Sequence, residues 1–220
     1  MNRGSATDRF WIGYLTALVV VGLLLLFTKS AKADEHDSTP GMEHAHSHHP
    51  DGGAANIEVR RSEVRYSIPN VNVTTMEGME TSLAATLDAK SPILLNFIFT
   101  TCTAVCPMLT ATFEQFQQEL GNDRHSINMI SISIDPEHDT PAKLREYAKK
   151  FHADTQWNFY TGAVNDVVAV QKAFDVYRGN KMSHIPVMLL RKSPDAPWVR
   201  LDGFASAKDL VSEYRQLQVQ

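Results

Sequence analysis

Residues 93–107 read ILLNFIFTTCTAVCP. The first seven form a near-continuous apolar run, as a central strand covered on both faces requires. The run then breaks into a loop that holds Cys102 and Cys106, and Pro107 suits the first position of a helix. On that reading Cys106 stands at or near the helix N-cap. Backbone N–H groups and the positive end of the helix dipole would there favour a thiolate. These are the only two cysteines of the chain. Three residues separate them, one more than in the common redox spacing. Two thiolates this close can form a disulfide or chelate one soft metal ion. A purely structural disulfide is the weaker reading, because so short a loop constrains the unfolded chain little.

Reading outward, residues 107–120 are predicted as a helix. Leu109, Phe113, Phe116 and Leu120 form its apolar stripe, and Gly121 is its stop. Residues 127–134 read as a second buried strand. Thr140 is a natural N-cap with Pro141 at the first helical position, and that helix runs to about Phe151. A strand at 157–160 and a helix at 163–174 follow. Residues 187–190 and 198–201 form a hairpin around Ser193-Pro194-Asp195, and 205–217 is the last helix. On the N-terminal side, 58–68 and 71–74 read as strands, Gly78 as a turn and 81–87 as a short helix. This order predicts a thioredoxin-like α/β sandwich with a central mixed sheet and flanking helices.

The N-terminus sets the compartment. Residues 10–27 (FWIGYLTALVVVGLLLLF) carry no charged side chain. Eighteen residues of helix span about 27 Å, enough for a bilayer core. Arg3 and Arg9 precede the run, so residues 1–9 are expected to stay cytoplasmic and the rest to cross. The run is longer than a signal-peptide core and reads as a transmembrane signal anchor, although Ala31-Lys32-Ala33 offers a cleavage site. Either way the chain beyond about residue 34 is expected on the extracytoplasmic side, the periplasm in a bacterium, where disulfides are permitted. Residues 28–56 read as a disordered linker that cannot bury enough apolar surface to order itself, and 57–220 as one domain. The net charge of −4 among 220 residues leaves no basic footprint for nucleic acid.

Nine histidines bear on metal binding. Five lie in the linker: His36, His44, His46, His48 and His49, with Met42 beside them. Such tracts capture transition metals weakly and without fixed geometry. His125 and His152 read as solvated surface residues, and His138 as a loop residue. His184 lies in Met182-Ser183-His184-Ile185-Pro186, just before the hairpin. In a thioredoxin-like fold that loop faces the cysteine loop. Two thiolates and one imidazole suit copper, as Cu(I) or Cu(II). Zinc is open on ligand type, although it usually takes a fourth ligand or keeps an open position.

These motifs carry a family resemblance. FIFTTCTAVCP (97–107), SIDPEHDTP (133–141) and His184 before an apolar strand resemble the Sco/SenC family over about residues 60–217. That family comprises membrane-tethered copper proteins that assist assembly of the CuA centre of cytochrome c oxidase. The resemblance implies that Cys102, Cys106 and His184 bind copper. It also implies a copper chaperone that passes its ion by ligand exchange to a membrane acceptor, cytochrome c oxidase subunit II. Other copper chaperones or thiol reductants would be further partners. The alternative is a thiol–disulfide oxidoreductase, with Cys102 and Cys106 as its redox pair. The chain departs from the family's usual pattern at Thr103, where Pro is common, and at Ser183, where Asp commonly precedes the histidine. Pro186 stands where thioredoxins carry a cis-proline, but proline also suits the start of a strand.

Overall fold

The computed structural model describes residues 59–219. The predicted segments 1–9, 10–27 and 28–56 lie outside the described residues. Among the described residues no helix is long and apolar enough to cross a membrane.

Eight strands form one mixed sheet in the order β1-β8-β7-β4-β5-β6-β2-β3. Its centre is β4 (Ile93–Ile98), all six residues of which are buried. β5 (Asn128–Ser133) and β6 (Trp157–Thr161) run parallel to it. β7 (Val187–Arg191) runs antiparallel on the other side, followed by β8 (Trp198–Asp202) and β1 (Arg60–Val64). The far edge is a hairpin of β2 (Asn72–Thr75) and β3 (Glu80–Ser82). Gly78 turns that hairpin with φ of 87°, a conformation costly for residues with a Cβ. β3 was not anticipated. Its three residues are too short for alternation to register, and the sequence places a helix over the last two, Thr81 and Ser82.

Helices α1 (Leu83–Leu87), α2 (Val105–Leu120), α3 (Pro141–Lys150), α4 (Val164–Ala173) and α5 (Ala207–Val219) complete the sandwich. Asn96 and Phe97, as consecutive strand residues, face opposite sides of the sheet. On the Asn96 side, the Ser131 hydroxyl donates to Asn96 Oδ1 and the Trp157 indole N–H donates to Ser131. Phe113 of α2 packs on Trp157, Tyr147 of α3 on Phe159, and Phe116 meets Tyr214 of α5. On the Phe97 side, Phe174 at the end of α4 packs against Phe97 and Trp198. Each fully buried large apolar side chain contributes roughly 1.5–3 kcal/mol.

Three connections meet at the C-terminal end of β4. The cysteine loop leaves it directly. The turn 134–140 leaves β5, its neighbour. The segment 174–186 enters β7, whose Met188 pairs with Asn96. The topology therefore gathers the quoted motifs from three distant parts of the sequence.

Candidate functional site

α2 begins at Val105, with Ala104 as N-cap. Cys106 is therefore the second residue of the helix and Pro107 the third. Cys106 thus lies near the N-cap, but the reading of Pro107 as the first helical residue is corrected, because the helix starts two residues earlier. Proline tolerates any position in the first turn, so Pro107 fixed the helix start only to within a turn.

Both cysteines are free. Cys102 is half-buried and Cys106 fully buried. The Cys106 backbone N–H donates to Cys102 Sγ at 3.4 Å. The first turn of α2 thus directs its unpaired N–H groups at Cys102, not Cys106. Burial works against ionisation of Cys102. The N–H groups of Cys106 and Ala104 outweigh it, with the Cys106 thiol and the Val105 N–H, and hold this thiol below its ordinary value. Burial pushes the Cys106 thiol up, assisted by the Cys102 sulfur and the Asp139 charge. One thiol of the pair is poised to ionise and the other is kept protonated.

His184 is buried, with 8% of its surface exposed. Its Nε2 lies 3.0 Å from the Phe97 carbonyl oxygen. A carbonyl only accepts, so Nε2 carries the hydrogen and donates it. Nδ1 then holds the lone pair, and it is buried without a hydrogen-bond partner. Burial holds the imidazole below its ordinary pKa and the Arg178 charge adds to this, against the opposing Phe97 bond. The side chain is a neutral imidazole with an unused ligand nitrogen. The Phe97 carbonyl of β4 supplies the contact that orients this imidazole.

Among the described residues no three His, Cys, Asp or Glu side chains are gathered closely enough to hold one ion. The structure brings Cys102 and Cys106 together and sets His184 at the same end of β4, but does not close the three into a cluster. His125 and His152 are exposed, as expected, and His152 Nδ1 pairs with Glu114 at 2.7 Å. His138 is an exposed loop residue bonded to Asp135. No peptide bond among the described residues is cis, so Pro186 is trans and precedes β7. His36, His44, His46, His48 and His49 lie outside the described residues.

Two carboxylates of the 133–141 motif went unassigned in the sequence. Asp139 is fully buried and accepts from the Thr100 N–H (3.1 Å), the Thr100 hydroxyl (2.5 Å) and the Ser133 hydroxyl (2.6 Å). Asp135, 5% exposed, pairs with Lys181 at 2.5 Å and with His138 at 3.0 Å. Ser133 in a buried strand was the available signal, since a buried hydroxyl needs a partner.

The model of the SCO1/SenC family matches residues 74–210, which include the cysteine loop, both carboxylates and His184. The chain belongs to the SCO1/SenC family. Among curated relatives, the SCO1 protein homolog of Bacillus subtilis is 37% identical over 70 residues, 31% of this chain and 36% of that protein. The matched stretch is thus little more than a third of that relative's length. Among solved structures, BsSco is described as a member of the Sco family of cytochrome c oxidase assembly proteins with a disulfide switch. It superposes with a TM-score of 0.60 at 24% identity, covering 72% of this chain and 96% of that one. ScoI of Bradyrhizobium japonicum, solved with copper bound, gives 0.57 at 23% identity, covering 68% and 98%. At these identities the two structures establish the thioredoxin-like fold.

Proposed function

We propose that this SCO1/SenC protein is a copper chaperone that holds its ion between Cys102, Cys106 and His184. Copper is here the cargo. The observation that carries the reading is the donor set at one end of β4: a thiol poised to ionise, a second thiol in the adjoining first turn of α2, and a neutral imidazole whose Nδ1 is unused. Soft sulfur suits Cu(I), and an added imidazole also accepts Cu(II). Copper bound in the Bradyrhizobium japonicum relative supports the same cargo.

Capture starts at Cys102, the thiol that ionises more readily. The Cys106 proton is displaced as the ion bridges both sulfurs, because a metal ligand must be the thiolate. His184 then joins through Nδ1 as the segment Lys181–Pro186 brings it to the sulfurs. Release reverses this order, each ligand being replaced by one from the acceptor. The description of BsSco as a cytochrome c oxidase assembly protein supports that oxidase as the acceptor, with the CuA site of subunit II as the destination. Residues 10–27 would tether the domain 57–220 on the periplasmic side and raise its effective concentration near membrane acceptors. The histidines of the linker would gather copper there.

The test is anaerobic Cu(I) titration of the reduced full chain in detergent. One tightly bound ion is expected, lost in both Cys102→Ser and Cys106→Ser. Retention of that ion in either variant would defeat the reading.

A second reading, thiol–disulfide reductase, is favoured by the split between the two thiols. A half-buried, easily ionised Cys102 can attack a partner disulfide, and a buried Cys106 can resolve the mixed disulfide. In that case Cys106→Ser accumulates the mixed disulfide with oxidised acceptor.

A further inference from the structure

A continuous polar chain, buried through its middle, joins the two loops that carry the proposed ligands. It starts at Lys181, three residues before His184, whose ammonium pairs with Asp135 Oδ2 at 2.5 Å. The Asp135 backbone N–H donates to Ser133 Oγ at 3.0 Å. The Ser133 hydroxyl donates to Asp139 Oδ2 at 2.6 Å. Asp139 in turn accepts from the Thr100 N–H and hydroxyl, two residues before Cys102. Ser133 and Asp139 are fully buried and Asp135 nearly so. Bonds in such a low-dielectric corridor are strong and polarise one another.

Most other contacts at this end of the sheet lie within one loop, although His184 Nε2–H also donates to the Phe97 carbonyl and so ties the histidine loop to β4. The Cys102 N–H donates to the Phe99 carbonyl, and the Cys106 N–H to Cys102 Sγ. The His184 N–H donates to the Lys181 carbonyl and the Ser183 N–H to that of Asn180. Lys181 also reaches the cysteine side, lying 5.8 Å over the Phe99 ring. His138 Nδ1 occupies the other Asp135 oxygen at 3.0 Å, which leaves Oδ2 to Lys181.

We infer that the chain Lys181–Asp135–Ser133–Asp139–Thr100 couples the position of the histidine loop to that of the cysteine loop. Lys181, Ser133 and Asp139 are positioning residues, since none is itself a proposed ligand. The coupling rests on contacts of the metal-free protein. Its importance for copper rests on the proposed function.

The test reads one end of the chain after a change at the other, because spatial continuity alone does not demonstrate coupling. Amide hydrogen exchange of the reduced, copper-free full chain in detergent is compared for wild type, Lys181→Met, Lys181→Arg and Ser133→Ala. Lys181→Met is expected to speed exchange at Thr100 and Cys102 by about tenfold, as loss of a charged hydrogen bond would. Lys181→Arg should restore the wild-type rate. Ser133→Ala breaks the middle, and adding Lys181→Met to it should change Thr100 and Cys102 no further. If Lys181→Met speeds exchange only within residues 180–186, the inference is overturned. Additive effects in the double variant would also overturn it.

The Cu(II)–thiolate absorption band of the loaded full chain separates this inference from the proposed function. A band that shifts in Lys181→Met and returns in Lys181→Arg supports both. Transmitted exchange in a wild-type chain that binds no copper sustains the coupling and defeats the copper reading.

Discussion

The cysteine loop and the histidine loop meet at the same end of β4 but are held in different ways. The cysteine loop is built by the chain's own continuity. It runs from a fully buried strand into a sixteen-residue helix, and its thiol is tuned by that helix's first N–H groups. The histidine loop has only a three-residue 3-10 turn, Lys181–Ser183, and depends on side chains from elsewhere. A donor set fixed by secondary structure is preformed. One fixed by a few polar contacts can move, as the proposed ligand exchange would demand.

The sharpest contrast is energetic. Asp139→Ala would leave the Thr100 N–H, the Thr100 hydroxyl and the Ser133 hydroxyl unpaired in a dry site. The expected loss is about 3–4 kcal/mol of unfolding free energy, read by denaturant titration. Lys181→Met, at the half-exposed end of the same chain of contacts, should cost less, about 1.5 kcal/mol, in keeping with the expected tenfold change in exchange. Equal losses would erase the distinction between the two loops.

Next in size is the difference between the thiols. Iodoacetamide at neutral pH should modify Cys102 on the order of a hundredfold faster than Cys106, read by peptide mass spectrometry. The N–H groups of α2 lower one thiol while burial raises the other and shields it. Comparable rates would show that the helix start does not discriminate between them.

The strand, the helix and the two-thiol loop were legible because apolar runs, Pro107 and Gly121 act locally. The element order likewise sufficed for the thioredoxin-like sandwich. Which cysteine is activated was not legible. A shift of two residues in the helix start transfers the N–H groups from Cys106 to Cys102, and Pro107 is compatible with both. Nor could the sequence show the partners of His184. Its orienting group is a backbone carbonyl 87 residues away, and every residue has one. Asp135 and Asp139 were visible as a motif, yet the donors from outside it lie on the cysteine loop and the histidine loop.

The smallest expected effect is the pH dependence of stability. His184 is buried neutral, with its pKa below the ordinary value of about 6.5. Below that pH the unfolded chain binds a proton that the folded chain refuses, so stability should fall as pH drops through about 6.5. The loss should level off once pH passes the lowered folded value. His184→Gln should remove this segment of the profile, measured by urea unfolding between pH 7.5 and 5. An unchanged profile would mean that His184 is not held neutral by its burial.

The central claim is that two differently built loops share one copper ion. Pulsed electron paramagnetic resonance of the Cu(II)-loaded full chain tests it most directly. The account predicts one imidazole nitrogen coupling beside thiolate ligation. That coupling should vanish in His184→Ala and survive when His36, His44, His46, His48 and His49 are all replaced by Ala. An imidazole signal that persists in His184→Ala, or disappears with the linker histidines, would contradict it.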